Sequence, residues 1–140
     1  MRCVLDTNVV VAAMRSPGGA SAALLMAARR GEITMLANVG LALEYEATCR
    51  LAEHRLAAGF DQDQVSIFID AILAMVEPVE THYLWRPQLR DPADEFVLEA
   101  AYNGQARAIV TFNERDFRDV AKTFGLEVLK PADVLRRIRR

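Results

Sequence analysis

The sequence predicts a single α/β domain over residues 1–140, in which helices cover both faces of a mostly parallel sheet of four or five strands. Two observations predict this three-layer fold. Short apolar runs of strand length alternate with stretches whose apolar residues recur at three- and four-residue steps, the spacing of a helix face. Strands that alternate with helices are typical of parallel sheets buried on both faces. A chain of 140 residues, 52% of them hydrophobic, has the usual size of one domain and enough apolar side chains for a core.

Five apolar runs are predicted strands, and the first shows the pattern most clearly. Residues 2–6 form a short apolar run that ends abruptly in Asp6, and two small polar residues separate it from a second apolar run. This order indicates a buried strand, a tight turn and the start of a helix. The other predicted strands cover residues 33–36, 79–82, 108–111 and 126–129.

Capping and stop residues delimit the predicted helices. Asn38 is suited to cap a helix over residues 39–57, and Gly31 ends the helix before it. Asp61 and Gln64 have the spacing of a capping box. The remaining helices are predicted over residues 9–15, 21–30, 61–76 and 91–103, after residue 113, and from residue 131 to the end.

Charge and cysteine content limit the classes of protein that fit. The formal net charge is −2, so charge alone predicts no nucleic-acid binding. All 17 basic residues except Lys122 and Lys130 are arginines, which suit forked contacts with phosphate. Cys3 and Cys49 have no CxxC spacing and are predicted to be buried thiols of a reducing compartment. Because no apolar run reaches transmembrane length and no leader pattern is present, a cytoplasmic protein without membrane contact is expected.

Carboxylates follow several of the predicted strands. Asp6 ends the first strand, and Glu44 lies in the first turns of the helix after the second. Asp91 and Asp94 begin a helix, and Asp116 follows the strand over residues 108–111. Because the carboxyl ends of parallel strands meet at one edge of a sheet, these side chains are expected to converge there. Clustered carboxylates repel unless a cation or protons intervene, and oxygen ligands select Mg²⁺ or Mn²⁺ over zinc.

Structural explanations exist for the same residues. Asp6 or Asn8 is suited to cap the next helix, and Asp94 could be a cap as well. Asp91 stands before Pro92, which favours a turn.

The other candidates have alternatives of the same kind. Asp116 could pair with Arg115 or Arg118, and Glu44 could be a solvated helix residue. His54 and His82 stand in no ligand-like spacing, so both are predicted to be structural.

The motifs around these acids resemble those of the PIN-domain nucleases. Asp6-Thr7-Asn8 resembles the family's opening motif, residues 41–44 resemble the helix with the second acid, and Asp94 resembles the third acid. Residues 111–117, Thr-Phe-Asn-Glu-Arg-Asp-Phe, resemble the late strand-end motif. The resemblance extends from residue 2 to about residue 130, with the motifs in the family's order, and is greatest to the VapC-like toxins of bacterial and archaeal toxin–antitoxin pairs.

The resemblance implies a metal-dependent endoribonuclease, in which Mg²⁺ or Mn²⁺ activates a water for attack on an RNA phosphodiester. The catalytic residues would be Asp6, Glu44, Asp94 and Asp116. The metal ligands among them would be Asp6, Asp94 and Asp116. Supporting residues would be Asn8, Asp91, Thr111 and Asn113. The position of Asn113 is an acid in some relatives, so Asp116 alone would supply the fourth carboxylate in this chain.

Partners are expected on the same grounds. The toxin resemblance implies a cognate antitoxin, and apolar surface on helices 21–30 and 61–76 is expected to be shared in a homodimer. RNA phosphate would be held from outside the acid cluster by arginines, chiefly Arg86, Arg90 and Arg115. Arg15 and the arginines of residues 136–140 are further candidates. The terminal arginines could instead be a solvated tail.

Other classes fit less well. A phosphotransferase of the haloacid dehalogenase type needs a second Asp two residues after Asp6, where this chain has Asn8, and a receiver domain needs an acid pair on the first strand. Two alternatives to a toxin stay open: an RNA-processing nuclease without an antitoxin, and a catalytically silent PIN-like binding module.

Overall fold

A parallel sheet forms the middle of the molecule. The structure is a computed structural model that describes residues 1–81, 89 and 91–139. The strand order is β3-β2-β1-β4-β5, and every neighbouring pair is parallel. The strands are β1 (Arg2–Leu5), β2 (Thr34–Ala37), β3 (Glu77–Pro78), β4 (Ala108–Val110) and β5 (Glu127–Leu129).

Helices connect these strands and cover the sheet. In the described ranges they are α1 (Thr7–Arg15), α2 (Ala20–Arg29), α3 (Val39–Arg50), α4 (Ala52–Ala58), α5 (Gln62–Met75), α6 (Pro92–Asn103), α7 (Glu114–Thr123) and α8 (Pro131–Ile138). The predicted three-layer α/β/α fold with a parallel sheet is confirmed. We call the side where the strands begin the amino edge of the sheet and the side where they end the carboxyl edge.

The caps predicted from the sequence are present. Asn38 Oδ1 accepts a hydrogen bond from the Leu41 N–H at 2.9 Å at the start of α3. Asp61 and Gln64 form the predicted capping box, in which each side chain accepts from the other's backbone N–H at 2.8 Å. These bonds satisfy N–H groups that the first turn of a helix leaves without an intrahelical partner.

Two predicted boundaries are wrong. The single helix predicted over residues 39–57 is divided at Leu51, whose φ of −60° and ψ of 136° are not helical. The turn places α4 against both α1 and α3, so tertiary packing decides a break that no glycine or proline marks. The strand predicted over residues 79–82 lies earlier, at β3, because Glu77 and Pro78 register with the last two residues of β2. Residue 82 lies outside the described residues.

The central strands supply the core. The side chains of β1 after Arg2 and all of those of β4 are fully buried, and Tyr45 and Phe117 are the largest buried side chains of the described residues. Cys3 and Cys49 are buried free thiols, as predicted, and burial raises their pKa to about 12 and about 11. In the described part of the chain no single helix is long and apolar enough to cross a membrane, and α1 and α2 reach that length only as a pair bent by 102°.

Candidate functional site

Asp6 is fixed at the carboxyl edge by two neighbouring strands. Its Oδ1 accepts from the Thr7 N–H at 2.8 Å, and its Oδ2 accepts from the hydroxyl of Thr111 at 2.7 Å. Thr111 is fully buried and follows β4, the neighbour of β1. Asp6 therefore caps α1, which is the structural role that its sequence position suggested. The same two bonds hold its carboxylate at the carboxyl edge of the sheet.

Glu44 is brought to the same edge by α3. The next residue, Tyr45, is fully buried and donates its hydroxyl hydrogen to the last carbonyl of β1, directly before Asp6. The helix also approaches α6 closely at Gly40, where an added Cβ would lie 2.5 Å from the Phe96 ring. The glycine therefore allows the two helices that carry Glu44 and Asp94 to pack side by side.

The neighbouring acids Glu44 and Glu46 have different surroundings. Glu44 lines the cavity described below and accepts a hydrogen bond from Thr48 Oγ1 at 3.1 Å. Glu46 is paired with Arg50 at 3.3 Å on the surface. The structure therefore distinguishes two carboxylates that the sequence alone could not separate.

Asp91 and Asp94 occupy the first turn of α6. Asp91 caps the helix through the Ala93 N–H at 3.0 Å, with Pro92 at the first helical position, as its turn-forming sequence favoured. Asp94 is not the cap, and its half-buried side chain is free to face the cavity. Since α6 packs against β1, β2 and β4, its first turn lies over the carboxyl edge.

Asn113 and Asp116 are positioned by the end of β4. The Thr111 hydroxyl oxygen accepts from the Asn113 N–H at 2.9 Å, and the Asp116 N–H donates to the Asn113 carbonyl at 3.0 Å. Phe117 is fully buried and fixes the first turn of α7 to the body of the domain. Thr111 therefore connects Asp6 to the segment that carries the last predicted acid.

These side chains meet in one cavity of about 280 Å³. All of the predicted catalytic and supporting residues line it except Thr111, which lies behind Asp6. No lysine or arginine of the described residues lines this space, which we call the acidic cavity. Its predicted members are Asp6, Asn8, Glu44, Asp91, Asp94, Asn113 and Asp116.

Carboxylates in the acidic cavity influence one another. Burial, followed by the charges of Asp6, Asp91 and Asp116, raises the pKa of Asp94 to about 7. Burial also raises the pKa of Asp6, with further contributions from the charges of Asp116 and Asp91, although the hydrogen bonds from Thr111 and Thr7 oppose the increase. Like charges that share a poorly solvated space favour protonation or a cation between them.

The donor atoms of the acidic cavity fit a hard divalent cation. They are carboxylate and amide oxygens, and the Oδ1 atom of Asn8 is buried without a hydrogen-bond partner among the residues that the structure describes. Within residues 1–81, 89 and 91–139 no three acids, histidines or cysteines are already spaced as ligands of one ion. Mg²⁺ keeps several of its waters and is commonly held by one or two carboxylates, so a preformed cage of three is not required.

His54 is a lining residue that the sequence did not reveal. The histidine lies on α4, and the break at Leu51 brings it to the acidic cavity. Arg15 NH1 lies 3.1 Å from His54 Nδ1, and because a guanidinium can only donate, Nδ1 is the acceptor and the hydrogen of the neutral ring is on Nε2. A continuous helix over residues 39–57 would have directed His54 elsewhere, so no sequence signal indicated it.

The arginines predicted to contact RNA have different outcomes. Arg86 and Arg90 lie outside the described residues. Arg115 is exposed in the first turn of α7, beside Asp116. Arg137 does not reach the site, because it makes a two-pronged pair with Glu127, the first residue of β5, at the amino edge. Arg140 lies outside the described residues.

The fold and the acidic cavity together define the class of protein: an α/β domain whose predicted site residues gather at the carboxyl edge of a parallel sheet. Residues 2–115 match the PIN domain family, and the chain belongs to that family. PIN domains are generally nucleases and generally use divalent metal ions. The matched segment contains every predicted acid except Asp116, which directly follows it.

A solved structure supports the same fold. The chain is similar to a chain of the crystal structure of VapBC2 from Rickettsia felis bound to a DNA fragment from their promoter, with a TM-score of 0.63 and 16% identity. The alignment covers 93% of this chain and 98% of that one. At this identity the likeness concerns the fold alone. No curated protein matches the chain.

Proposed function

We propose that the protein is an endoribonuclease that uses Mg²⁺ or Mn²⁺ to hydrolyse RNA phosphodiester bonds, as the toxin of a toxin–antitoxin pair. The observation that carries this proposal is the convergence of Asp6, Glu44, Asp91, Asp94 and Asp116 in one cavity that no described lysine or arginine lines. Membership of the PIN domain family supports nuclease activity. The raised pKa values of Asp6 and Asp94 indicate an excess of negative charge that a divalent cation would balance.

The residues of the cavity have separable tasks in this proposal. Asp6, Asp94 and Asp116 would hold the metal, which supplies an activated water and neutralises charge on the phosphate. Thr111 keeps the Asp6 carboxylate pointing into the cavity, and Asn8 offers its unpaired Oδ1 as a further acceptor. Glu44 would orient the attacking water, because it lines the cavity without being held in an ion pair by any described residue.

The direct test is cleavage of labelled single-stranded RNA by the purified chain, with Mg²⁺ and with EDTA, and with single-stranded DNA of the same sequence as a second substrate. Glu44→Gln and Glu46→Gln form a matched pair on one helix. We expect cleavage of RNA only with the metal, loss of cleavage in Glu44→Gln and native activity in Glu46→Gln. Cleavage that survives EDTA, or equal activity of the two variants, would contradict the proposed site.

A chain that binds RNA and cleaves none with Mg²⁺ or Mn²⁺ would instead be a catalytically silent binding module. Cleavage of DNA in preference to RNA would retain the nuclease and change the substrate. The RNA-processing alternative also predicts cleavage by the purified chain, and it differs from the toxin in having no protein partner that copurifies with the chain and suppresses cleavage.

An antitoxin and a second copy of the chain are the proposed protein partners. Support for the antitoxin comes from the fold likeness to a chain of VapBC2. Support for a homodimer comes from apolar side chains at the surface of the predicted helices, with Met26 on α2 at 47% exposure and Ile67 on α5 at 70%. Gel filtration with light scattering at micromolar concentration tests the dimer, and Ile67→Glu should yield a monomer. A small open reading frame beside this gene would be the candidate antitoxin gene, and its co-expressed product should copurify and suppress cleavage.

A further inference from the structure

A second cavity adjoins the acidic one at the carboxyl edge. It has a volume of about 440 Å³ and shares Asn113 and Asp116 with the acidic cavity. Apart from Glu114, the rest of its lining consists of three basic side chains and an aromatic ring: Arg115 and Arg118 on α7, Lys130 directly after β5, and Phe112 directly after Thr111. We call Phe112, Arg115, Arg118 and Lys130 the basic shelf.

The cations of the basic shelf differ from most of the other cations in the described ranges. Arg2, Arg30, Arg50, Arg107, Arg136 and Arg137 each form an ion pair with a carboxylate. None of the three shelf cations has an ion-pair partner among the residues that the structure describes, although the Glu114 carboxylate also lines the cavity. Their charges are therefore available to an outside ligand.

Phe112 gives the basic shelf a second kind of contact. Phe112 is 46% exposed, although a residue two positions after a buried strand could have turned its ring into the core. Exposed aromatic rings beside cations are the usual platform for single-stranded nucleic acid, since bases stack on the ring while arginine and lysine hold the backbone phosphates.

We propose that the basic shelf binds the stretch of single-stranded RNA that adjoins the scissile phosphate, with Arg115, Arg118 and Lys130 on its phosphates and Phe112 stacked on a base. This inference rests on the proposed ribonuclease function. A cavity lined by carboxylates repels a phosphate until metal fills it, so the RNA must be held from a neighbouring surface. The basic shelf is such a surface, because an RNA strand that passes from the shelf over Asn113 and Asp116 enters the acidic cavity directly.

Binding can be tested apart from cleavage. Fluorescence anisotropy of a labelled single-stranded RNA of about 12 nucleotides, measured on the full chain in EDTA over a range of salt concentrations, reports affinity and its salt dependence. The shelf variant is Arg118→Gln/Lys130→Gln. The matched control is Arg29→Gln/Lys122→Gln, which removes the same two kinds of charge from exposed positions at the helix ends that lead into β2 and β5, at the amino edge.

The two kinds of contact predict different signatures. Each lost phosphate contact should reduce the slope of log K against log salt by about 0.7, so the shelf variant should lose about 1.4 and the control none. Phe112→Leu should weaken binding about tenfold, within the usual range for a stacked base, and leave the slope unchanged. Thermal melts of all variants show whether each is folded.

Several outcomes would overturn the inference. Equal slopes and affinities in the shelf variant and the control would exclude these cations, and absence of RNA binding by the native chain at low salt would exclude the surface. Loss of binding to a labelled glutamate-rich peptide, with RNA binding unchanged, would make the basic shelf a docking surface for an acidic protein segment.

The inference and the proposed function fail in different ways. If the native chain cleaves no RNA with Mg²⁺ but the shelf variant loses RNA binding, the proposed function fails and the basic shelf stands. If the native chain cleaves RNA and the shelf variant binds and cleaves as the control does, the proposed function stands and the basic shelf is excluded.

Discussion

The carboxylates at the two edges of the sheet have opposite neighbours, arginines at the amino edge and other carboxylates at the carboxyl edge. At the amino edge each strand-starting acid has an arginine: Glu77 lies 2.6 Å from Arg2, and Glu127 lies 2.7 Å from Arg137 and 3.2 Å from Arg107. The hydrogen bond from Arg137 lowers the pKa of Glu127. At the carboxyl edge Asp6 and Asp94 face other carboxylates, and their pKa values are raised.

The difference indicates where stability and where function are located. Paired charges at the amino edge cost the fold little and contribute modestly, as exposed ion pairs do. Partly buried carboxylates at the carboxyl edge that pair with no described cation oppose folding, and groups with perturbed pKa values in a cleft are candidates for chemistry. Repulsion between carboxylates is therefore concentrated at the carboxyl edge, where the proposed function places the cation.

Cleavage should show the largest effect. Asp94→Asn removes a proposed metal ligand, and because such a metal is worth several kcal/mol in the transition state, we expect RNA cleavage with Mg²⁺ to fall about 10³-fold. Asp119→Asn, an exposed aspartate further along α7, is the control and should keep native activity. Initial rates on one labelled RNA measure both variants, and a loss of less than about threefold in Asp94→Asn would remove it from the site.

The pH dependence of stability should show the second largest effect. The pKa of Asp94 is raised from 3.8 to about 7, so the folded chain binds this proton more tightly than the unfolded chain does. Without metal, the free energy of unfolding should therefore fall as pH rises from about 4 to about 7, by about 1 kcal/mol after solvent screening of a half-exposed carboxyl is allowed for. Urea unfolding in EDTA across this range measures it. If the free energy of unfolding does not fall over this pH range, or falls equally in Asp94→Asn, then the charged form of Asp94 is not disfavoured in the folded chain.

Asp91→Asn should have a smaller effect on the same measurement, the pH dependence of the free energy of unfolding in EDTA. Asn caps helices as well as Asp does, so α6 should keep its bond to the Ala93 N–H while one negative charge leaves the cavity. The pKa of Asp94 should fall, and the pH-dependent loss of stability should become smaller. An unchanged pH profile would mean that the charge of Asp91 does not contribute to the raised pKa of Asp94.

The smallest effect is expected at the amino edge. Glu127→Gln removes an exposed ion pair with Arg137 and Arg107, and should lower the free energy of unfolding by about 0.5 kcal/mol and Tm by about 2 °C. Since the pKa of Glu127 is lowered in the folded chain, this contribution is present at neutral pH and is lost as pH falls through that pKa. Cleavage should be unchanged. A large loss of cleavage would show that the two edges are not independent.

Much of the fold and of the acid cluster follows from the sequence. Asp6 and Asp116 could be placed because each follows a buried apolar run, and parallel strands bring such positions to one edge. The same rule applies to Lys130, which directly follows β5, and it would have located one member of the basic shelf. The capping box at Asp61 was predicted because its chemistry is local.

The features that were missed depend on tertiary packing. Leu51 has no local reason to leave the helix, and the break exists because α4 packs against α1 and α3. His54 enters the acidic cavity only through that break. The terminal arginines were considered as RNA contacts because the sequence does not tell at which edge α8 ends, and the pair between Arg137 and Glu127 places that end of the helix at the amino edge.

The most direct test of the account is the thermal stability of the native chain and of Asp94→Asn, in EDTA and with Mg²⁺, at a pH well above the Asp94 pKa of about 7. Asp94 suits this test better than Asp6, whose carboxylate accepts two structural hydrogen bonds. If the carboxylates at the carboxyl edge repel one another until a cation binds, Asp94→Asn should have a higher Tm than the native chain in EDTA. Mg²⁺ should then raise the Tm of the native chain more than that of the variant. A variant that melts below the native chain in EDTA and gains as much from Mg²⁺ would contradict the account.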